Sequence, residues 1–365
     1  MCTSETIRKG VSVLSCLCFA ALLALFTATA VASGDGFDFK GMKLPPGFTA
    51  TTYITAEGFD ITPGKSAPGL PAIVTINFDG QGNIYFARTA NRLREIYGSN
   101  SGPIYRIPVG PAKITKATEK YFHFGPSLSD PDEMGVNAKG EVFVSTMDRR
   151  TQVGSVYKLS PSGRARLFAG GASAPELFQD PEGIAFDAAG NIYVADDDLG
   201  RVVKLDPKGK VLDPKFISGA ERFRTLTYDP RGFLWVGSDG LHSSAHVDGS
   251  GRIYRASLPD GKLKLLHSGP LASGMGLSPG GNLFSAQRRS GKIFALTPKG
   301  KYVEFATFGG QSALRTLAFP PDNAATRKAG IAGDLFVMVF PMLDYPVREV
   351  IRISGPFDAY VKQRQ

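Results

Sequence analysis

Residues 190–193 read Gly-Asn-Ile-Tyr, and this pattern of a turn glycine followed by an apolar, aromatic strand recurs along the chain. The six copies are 42 to 58 residues apart and begin at Gly82, Gly140, Gly190, Gly232, Gly281 and Gly333. A short apolar run precedes each glycine. Repeats of this length, built from strands and tight turns, are typical of propellers.

A third strand follows each copy, as in Val202-Val203-Lys204-Leu205, and a fourth follows in five of them. Short β-turns such as Asp206-Pro207-Lys208-Gly209 join the third strand to the fourth. Four antiparallel strands in each of six repeats predict an all-β protein, a six-bladed β-propeller with four-stranded blades. The expected blades are residues 72–125, 132–171, 182–218, 223–269, 273–309 and 314–354.

The sixth repeat has no fourth strand after Ile353, whereas the segment 48–55 reads as a strand without a repeat of its own. We expect this N-terminal strand to complete the last blade and to close the ring. Residues 33–365 would then form one domain. Closure of this kind covers two strand edges that otherwise invite aggregation.

The first 32 residues resemble a secretory signal peptide. Arg8 and Lys9 precede an apolar run, 11–30, and Ala30-Val31-Ala32 provides a cleavage pattern. The alternative is an uncleaved membrane anchor, since the run is just long enough to span a bilayer. All three cysteines lie in this segment, so cleavage would leave a chain without disulfides or thiolates. We expect a periplasmic or secreted protein with no stable membrane anchor.

The composition narrows the class of partner. The 365 residues carry a formal net charge of +9, but lysine and arginine are spread along the chain without a basic block. Nucleic-acid binding needs a concentrated basic patch and is therefore not expected. We expect a monomer that binds a small polar or anionic ligand.

Charged residues begin several of the innermost strands. Eight residues before the turn glycines lie Val74, Asp132, Glu182, Arg224 and Ser273, and alignment of Arg315-Thr316-Leu317 with Arg224-Thr225-Leu226 adds Arg315. These positions should surround the mouth of the central channel, where charged groups must be paired, hydrated or bound to a ligand. The long loops between second and third strands lie on the same face, which we expect to carry the function.

Asp196 ends the second strand of the third repeat and begins the acidic run Asp196-Asp197-Asp198. Together with Asp132 and Glu182 it could ligate a hard divalent cation such as calcium. Alternatively, the carboxylates and arginines neutralise one another. In a third reading, Arg224 and Arg315 hold an anionic ligand or a developing oxyanion, while Asp132 or Glu182 acts as general base.

Two family resemblances bear on these alternatives. Pro181-Glu182-Gly183-Ile184-Ala185-Phe186-Asp187 and the following Asn191 to Asp196 resemble the NHL repeat and the senescence marker protein, gluconolactonase and luciferin-regenerating enzyme family. That resemblance implies a lactone or ester hydrolase with a divalent metal, usually calcium, bound by Glu, Asn and Asp. Asp196 falls on the family's aspartate, Glu182 replaces its usual asparagine, and Val74 replaces its glutamate.

Leu44-Pro45-Pro46-Gly47-Phe48 and Gly333-Asp334-Leu335-Phe336-Val337 are similar to soluble quinoprotein sugar dehydrogenases, which bind pyrroloquinoline quinone and calcium. The His-Gly-type motif of that family is replaced here by residues 340–344, which contain no histidine. The leading hypothesis is therefore a metal-assisted lactone or ester hydrolase. The alternatives are a non-catalytic module that binds a protein, peptide or glycan, and a quinoprotein dehydrogenase.

Overall fold

The computed structural model describes residues 42–57, 73–88, 101–115, 117–245, 247, 249–269, 271–288, 290–308, 313–340 and 349–365. They belong to the compact unit Phe37–Gln365. The predicted signal segment, 1–32, lies outside the described residues. Among those ranges, no helix has both the length and the apolar character needed to cross a membrane.

The described residues form two short α-helices, α1 (Ala324–Lys328) and α2 (Phe357–Gln363), and the 3-10 helices Glu119–Phe122 and Gly171–Ser173. Their strands are β1 (Thr49–Glu57), β2 (Ile73–Phe78), β3 (Ile84–Arg88), β4 (Ser101–Gly102), β5 (Ile104–Ile107), β6 (Ala112–Thr115), β7 (Leu128–Ser129), β8 (Pro131–Val136), β9 (Val142–Asp148), β10 (Val153–Leu159), β11 (Ala165–Gly170), β12 (Pro181–Phe186), β13 (Ile192–Asp196), β14 (Arg201–Leu205), β15 (Val211–Ser218), β16 (Glu221–Asp229), β17 (Phe233–Leu241), β18 (Gly251–Ser257), β19 (Leu263–Gly269), β20 (Ala272–Leu277), β21 (Leu283–Gln287), β22 (Lys292–Leu296), β23 (Tyr302–Thr307), β24 (Ala313–Ala318), β25 (Leu335–Phe340) and β26 (Glu349–Ser354).

These strands form a six-bladed β-propeller, as the repeat predicts. Blades two to five are four-stranded antiparallel sheets, from β8–β11 to β20–β23. The innermost strands contact one another in a closed cycle around the channel, in the order β2, β8, β12, β16, β20, β24 and back to β2. Apolar side chains of neighbouring blades, such as Phe143, Ile184 and Val194, pack into cores between the sheets.

The N-terminal strand closes the ring, which confirms the prediction. β1 pairs antiparallel with β26, with Thr49 opposite Ser354. The sheet of blade six then gains one more strand than expected, because β6 pairs in parallel with β1. The sheet of blade one correspondingly contains only β2, β3 and β5. Ile114 of β6 is fully buried with Ile54 of β1, so this exchange extends the core between blades six and one.

The repeated glycines have a common conformation. All six have a positive φ, between 72° and 95°, which a residue with a side chain adopts only with strain. In blade three, Asp187 directly follows β12, and its Oδ1 accepts hydrogen bonds from the backbone N–H groups of Ala189 and Asn191, each at 2.9 Å. The recurrence of the glycine is thus a requirement of the turn between the first and second strands of each blade.

Candidate functional site

The charged residues at the channel mouth lie in β-bulges. The register of each inner strand with its neighbour shifts at the same place, for example between Pro131 and Met134 and between Pro181 and Ile184. Asp132 and Glu182 lie within these bulges, and Arg224 lies within the corresponding bulge of β16. Bulges often redirect a side chain out of the regular alternation of a strand. Repetition of the bulge therefore places one such position per blade at this end of the channel.

Carboxylates from blades two and three converge there. Carboxylate oxygens of Asp132, Asp180 and Glu182 lie within 4.8 Å of one another, and the same holds for Asp180, Asp197 and Asp198. We call these two sets the first and the second carboxylate group; they share Asp180. Asp132 and Glu182 were predicted from the sequence, whereas Asp180, which immediately precedes β12, was not. The signal was available, because Asp180 falls opposite the acidic run after β13, where its carbonyl accepts the N–H of Asp197 at 3.0 Å.

Arginines surround these carboxylates and pair with part of them. Nη2 of Arg224 lies 2.8 Å from Oε1 of Glu182, and its Nη1 lies 3.7 Å from Oδ2 of Asp239. Arg222 donates to Asp197 Oδ2 from Nε at 2.9 Å and from Nη2 at 2.7 Å, and also pairs with Asp198. Nη1 of Arg224 also lies 4.0 Å from Oδ2 of Asp197, Arg288 pairs with Asp239, and Arg149 pairs with Asp130.

Acidic groups outnumber basic ones at this mouth. Among the described residues, the two carboxylate groups, the arginines beside them and the further acids that those arginines contact comprise seven carboxylates (Asp130, Asp132, Asp180, Glu182, Asp197, Asp198 and Asp239) and four guanidinium groups (Arg149, Arg222, Arg224 and Arg288). Asp196, whose oxygens accept backbone N–H groups, is not counted with them. The difference, 4 − 7, is −3 when every group is ionised. Mutual neutralisation by the arginines, one of the alternatives considered above, is therefore incomplete among these residues.

Burial and crowding both raise the carboxylate pKa values. Removal from bulk water is the main cause at Asp132, whose pKa rises to about 8, and the charges of Asp130 and Asp180 add to it. The same cause, followed by the charge of Asp197, raises the pKa of Asp180 to about 7. The pKa of Glu182 is also raised well above its ordinary value by burial, although Arg224 opposes the shift. Such shifts toward neutral pH are typical of functional sites.

Within the two carboxylate groups, two buried oxygens lack a hydrogen-bond partner among the described residues. They are Oε2 of Glu182, a residue 3% exposed, and Oδ1 of Asp197, a residue 1% exposed. A buried acceptor without a partner costs about 1–3 kcal/mol, and more when it is charged. Carboxylate oxygens in this arrangement are the ligands that calcium and magnesium prefer. The donor set of the first carboxylate group therefore fits a divalent cation.

Asp196 has a different environment from the other candidate ligands. Its Oδ2 accepts a hydrogen bond from the N–H of Gln179 at 2.8 Å, and its Oδ1 accepts from the N–H groups of Asp180 and Leu199. The residue is fully buried and belongs to neither carboxylate group. Its contacts hold in place the loop that carries Asp180.

Ser273, a further ring position, adds no charge to this site. Ser273 donates a hydrogen bond to the carbonyl of Leu314 in the neighbouring inner strand. The side chains of Val74 and Arg315 lie outside the described residues, so the predicted role of Arg315 stays a prediction.

A chamber of about 860 Å³ occupies the channel next to the carboxylates. On three inner strands its lining begins one residue after Asp132, Glu182 and Arg224, and it extends to the turns between first and second strands. The lining includes Glu133, Gly183, Thr225, Phe186, Leu277 and Phe319. The carboxylates lie on the face that carries the long loops between second and third strands, where we expected the function. The chamber extends from them toward the opposite face.

Comparison with known proteins supports the fold. No protein-family model matches this sequence, and no curated protein matches it. Three similar solved structures are the quinone (PQQ)-bound form of an aldose sugar dehydrogenase from Streptomyces coelicolor (TM-score 0.55, 14% identity, 86% of this chain and 100% of that chain), an auxiliary nutrient binding protein from Bacteroides ovatus (0.54, 11%, 85% and 77%) and a streptogramin B lyase (0.50, 12%, 85% and 98%). At these identities the likeness shows a shared propeller-like fold and nothing about the reaction.

Proposed function

We propose that the first carboxylate group binds a divalent cation, calcium foremost, and that the protein is a metal-assisted hydrolase of lactones or esters. The observation that carries this proposal is the convergence of Asp132, Asp180 and Glu182 within 4.8 Å, with one buried oxygen of Glu182 left without a partner. The resemblance of blade three to the gluconolactonase family supports the choice of reaction. Export after signal cleavage, a monomeric state and a small polar ligand remain part of the proposal.

The residues of the mouth have distinct parts in this proposal. A bound cation would polarise the carbonyl group of the ester. Arg224 orients Glu182 by holding Oε1, which leaves Oε2 for the cation. Arg149 is the most exposed of the four arginines, with 39% of its side chain accessible, and is therefore best placed to contact an anionic substituent of a substrate. Asp132 carries a proton at neutral pH, so cation binding would release protons.

The test combines binding and turnover. Calcium should raise the thermal midpoint of the parent protein, and a panel of lactones and aryl esters should reveal turnover that chelation with EDTA abolishes. Glu182→Gln should reduce the calcium-induced rise and abolish the turnover. Glu304→Gln is the matched control, because Glu304 lies on the outer strand β23 and pairs only with Lys292 among the described residues.

The outcomes separate the alternatives. Absence of any calcium effect on the parent protein would overturn the cation site. Calcium binding without turnover on the panel would overturn the hydrolase and leave a binding module. Sugar oxidation that appears only after reconstitution with pyrroloquinoline quinone would instead support a dehydrogenase.

A further inference from the structure

We infer that a second divalent cation binds beside the first, in the second carboxylate group, and that Asp180 bridges the two ions. The inference rests on the proposed cation site, which it extends from one ion to a pair. It concerns binding alone and does not depend on which reaction the site performs.

The shared residue is the first reason for a pair. Asp180 offers an oxygen within 4.8 Å of those of Asp132 and Glu182 and also within 4.8 Å of those of Asp197 and Asp198. A carboxylate has two oxygens and can therefore contact two ions at once. In two-metal sites the ions lie about 3.5–4 Å apart, a separation that one bridging carboxylate spans. The carboxylate of Asp180 accepts no hydrogen bond from the described residues, so both of its oxygens are available.

The second reason is an arrangement that occurs once in each group. In the first, Arg224 pairs with Oε1 of the buried Glu182, and Oε2 has no partner among the described residues. In the second, Arg222 holds Oδ2 of the buried Asp197, and Oδ1 has no partner there. Each group thus contains one almost fully buried carboxylate. A guanidinium group contacts one of its oxygens, and the other oxygen has no hydrogen-bond partner among the described residues.

The charge at the mouth is compatible with two ions. When cation binding has displaced their protons, the seven carboxylates and four guanidinium groups sum to −3, so one divalent cation leaves −1 and two give +1. The two totals are equally close to neutrality.

The experiment counts ions on the full chain. Equilibrium dialysis against calcium, with elemental analysis, should find two ions per chain in the parent protein and one in Glu182→Gln or Asp197→Asn. Asp198→Asn provides a second variant of the same group at a half-buried position, in case Asp197→Asn fails to fold. Asp180→Asn should weaken both sites. Asp213→Asn, on the outer strand β15, should still bind two ions.

Manganese supplies a spectroscopic readout of the bridge. Two manganese ions that share Asp180 should give the electron paramagnetic resonance spectrum of a magnetically interacting pair, and Asp197→Asn should give that of an isolated ion. One calcium ion per chain in the parent would overturn the second site and leave the proposed hydrolase intact. Two ions without magnetic interaction would overturn the bridge, and no bound ion would overturn both proposals. Two ions without ester turnover would leave this inference standing and reject the hydrolase.

Discussion

Burial away from water, rather than a hydrogen bond, raises the pKa of Asp132. Four charged groups act on it: Asp130 and Asp180 raise its pKa, and Arg224 and Arg149 lower it. Removal from water outweighs each of them, so the pKa reaches about 8. An aspartate in an unfolded chain titrates near 3.9. Between these two values the folded protein holds a proton that the unfolded chain has released.

The stability of the cation-free protein should therefore fall as the pH rises. The stabilisation associated with the protonated Asp132 is complete below about pH 4 and is lost as the pH approaches about 8. Asp180, whose pKa is about 7, acts in the same direction. Thermal midpoints measured in EDTA should fall between about pH 5 and about pH 8, and Asp132→Asn should reduce that slope.

Asp206→Asn is the control for this measurement. Hydrogen bonds from the backbone N–H groups of its turn, that of Lys210 above all, lower the pKa of Asp206. Its stabilising effect is therefore complete above about pH 4 and constant over the measured range. Parallel curves for the parent and Asp132→Asn would show that burial does not govern this carboxylate.

Among the elements, the C-terminal helix α2 supplies a carboxylate to the turn of blade five, which has no aspartate of its own at the equivalent position. In blades one, three and four, an aspartate three residues before the turn glycine accepts hydrogen bonds from the turn (Asp79, Asp187 and Asp229). Blade five has Ser278 at this position. Asp358 of α2 replaces the missing carboxylate and accepts hydrogen bonds from Gly280 N at 2.7 Å, from Asn282 Nδ2 at 2.8 Å and from the hydroxyl of Ser278.

The stability lost when Asp358 is replaced should therefore be restored by an aspartate introduced at position 278 of blade five. Asp358→Ala removes three hydrogen bonds to a charged acceptor and should cost about 1–3 kcal/mol of unfolding free energy. Ser278→Asp alone should also destabilise, since it places two carboxylates together. The double variant should recover most of the loss, because the turn then has its own aspartate. Urea denaturation of the parent, the two single variants and the double variant measures the four unfolding free energies of this cycle. Additive losses would contradict the idea that Asp358 takes the place of a turn aspartate.

On the scale of the whole molecule, both ends of the described chain meet at the last blade. Phe48, which precedes β1, packs against Phe357 and Tyr360 of α2, with ring centroids 5.0 and 5.6 Å apart. Thr52 and Thr55 of β1 donate hydrogen bonds to Glu349 of β26 at 2.9 and 3.1 Å. The ring is therefore held closed by the N-terminal strand and covered by the C-terminal helix.

Weakening β1 should destabilise the entire ring. Ile54→Ala removes a fully buried side chain and should cost about 2–5 kcal/mol of unfolding free energy. Thr51→Ala, at an exposed position of the same strand, should change stability by no more than about 0.5 kcal/mol. Deletion of residues 34–56 should lower the thermal midpoint more than either substitution. An unchanged midpoint after the deletion would contradict closure by β1.

The fold was far more predictable from the sequence than the site. The turn glycine, the apolar run before it and the strand after it recur within each repeat, so local patterns were enough to count the blades and to place β1. The fourth strand of the first repeat was harder, because its pairing with β1 depends on a contact between residues far apart in the chain, such as Ile54 and Ala112. At the site, Asp180 was missed because it precedes a strand and lies outside the position that was counted within the repeat, although Asp130-Pro131-Asp132 of blade two matches Asp180-Pro181-Glu182.

Periodicity in the sequence alone determined the six blades, the closing strand and the arrival of Asp132, Glu182 and Arg224 at one end of the channel, since each follows from a position counted within a repeat. Which oxygen pairs with which guanidinium group was decided only by the tertiary structure. It turned Asp196 toward three backbone N–H groups, brought Asp180 between two sets of carboxylates and left one oxygen of Glu182 and one of Asp197 without a partner among the described residues. Such details depend on the directions of side chains from different blades. Bulges and burial determine these directions, and a local sequence pattern does not show them.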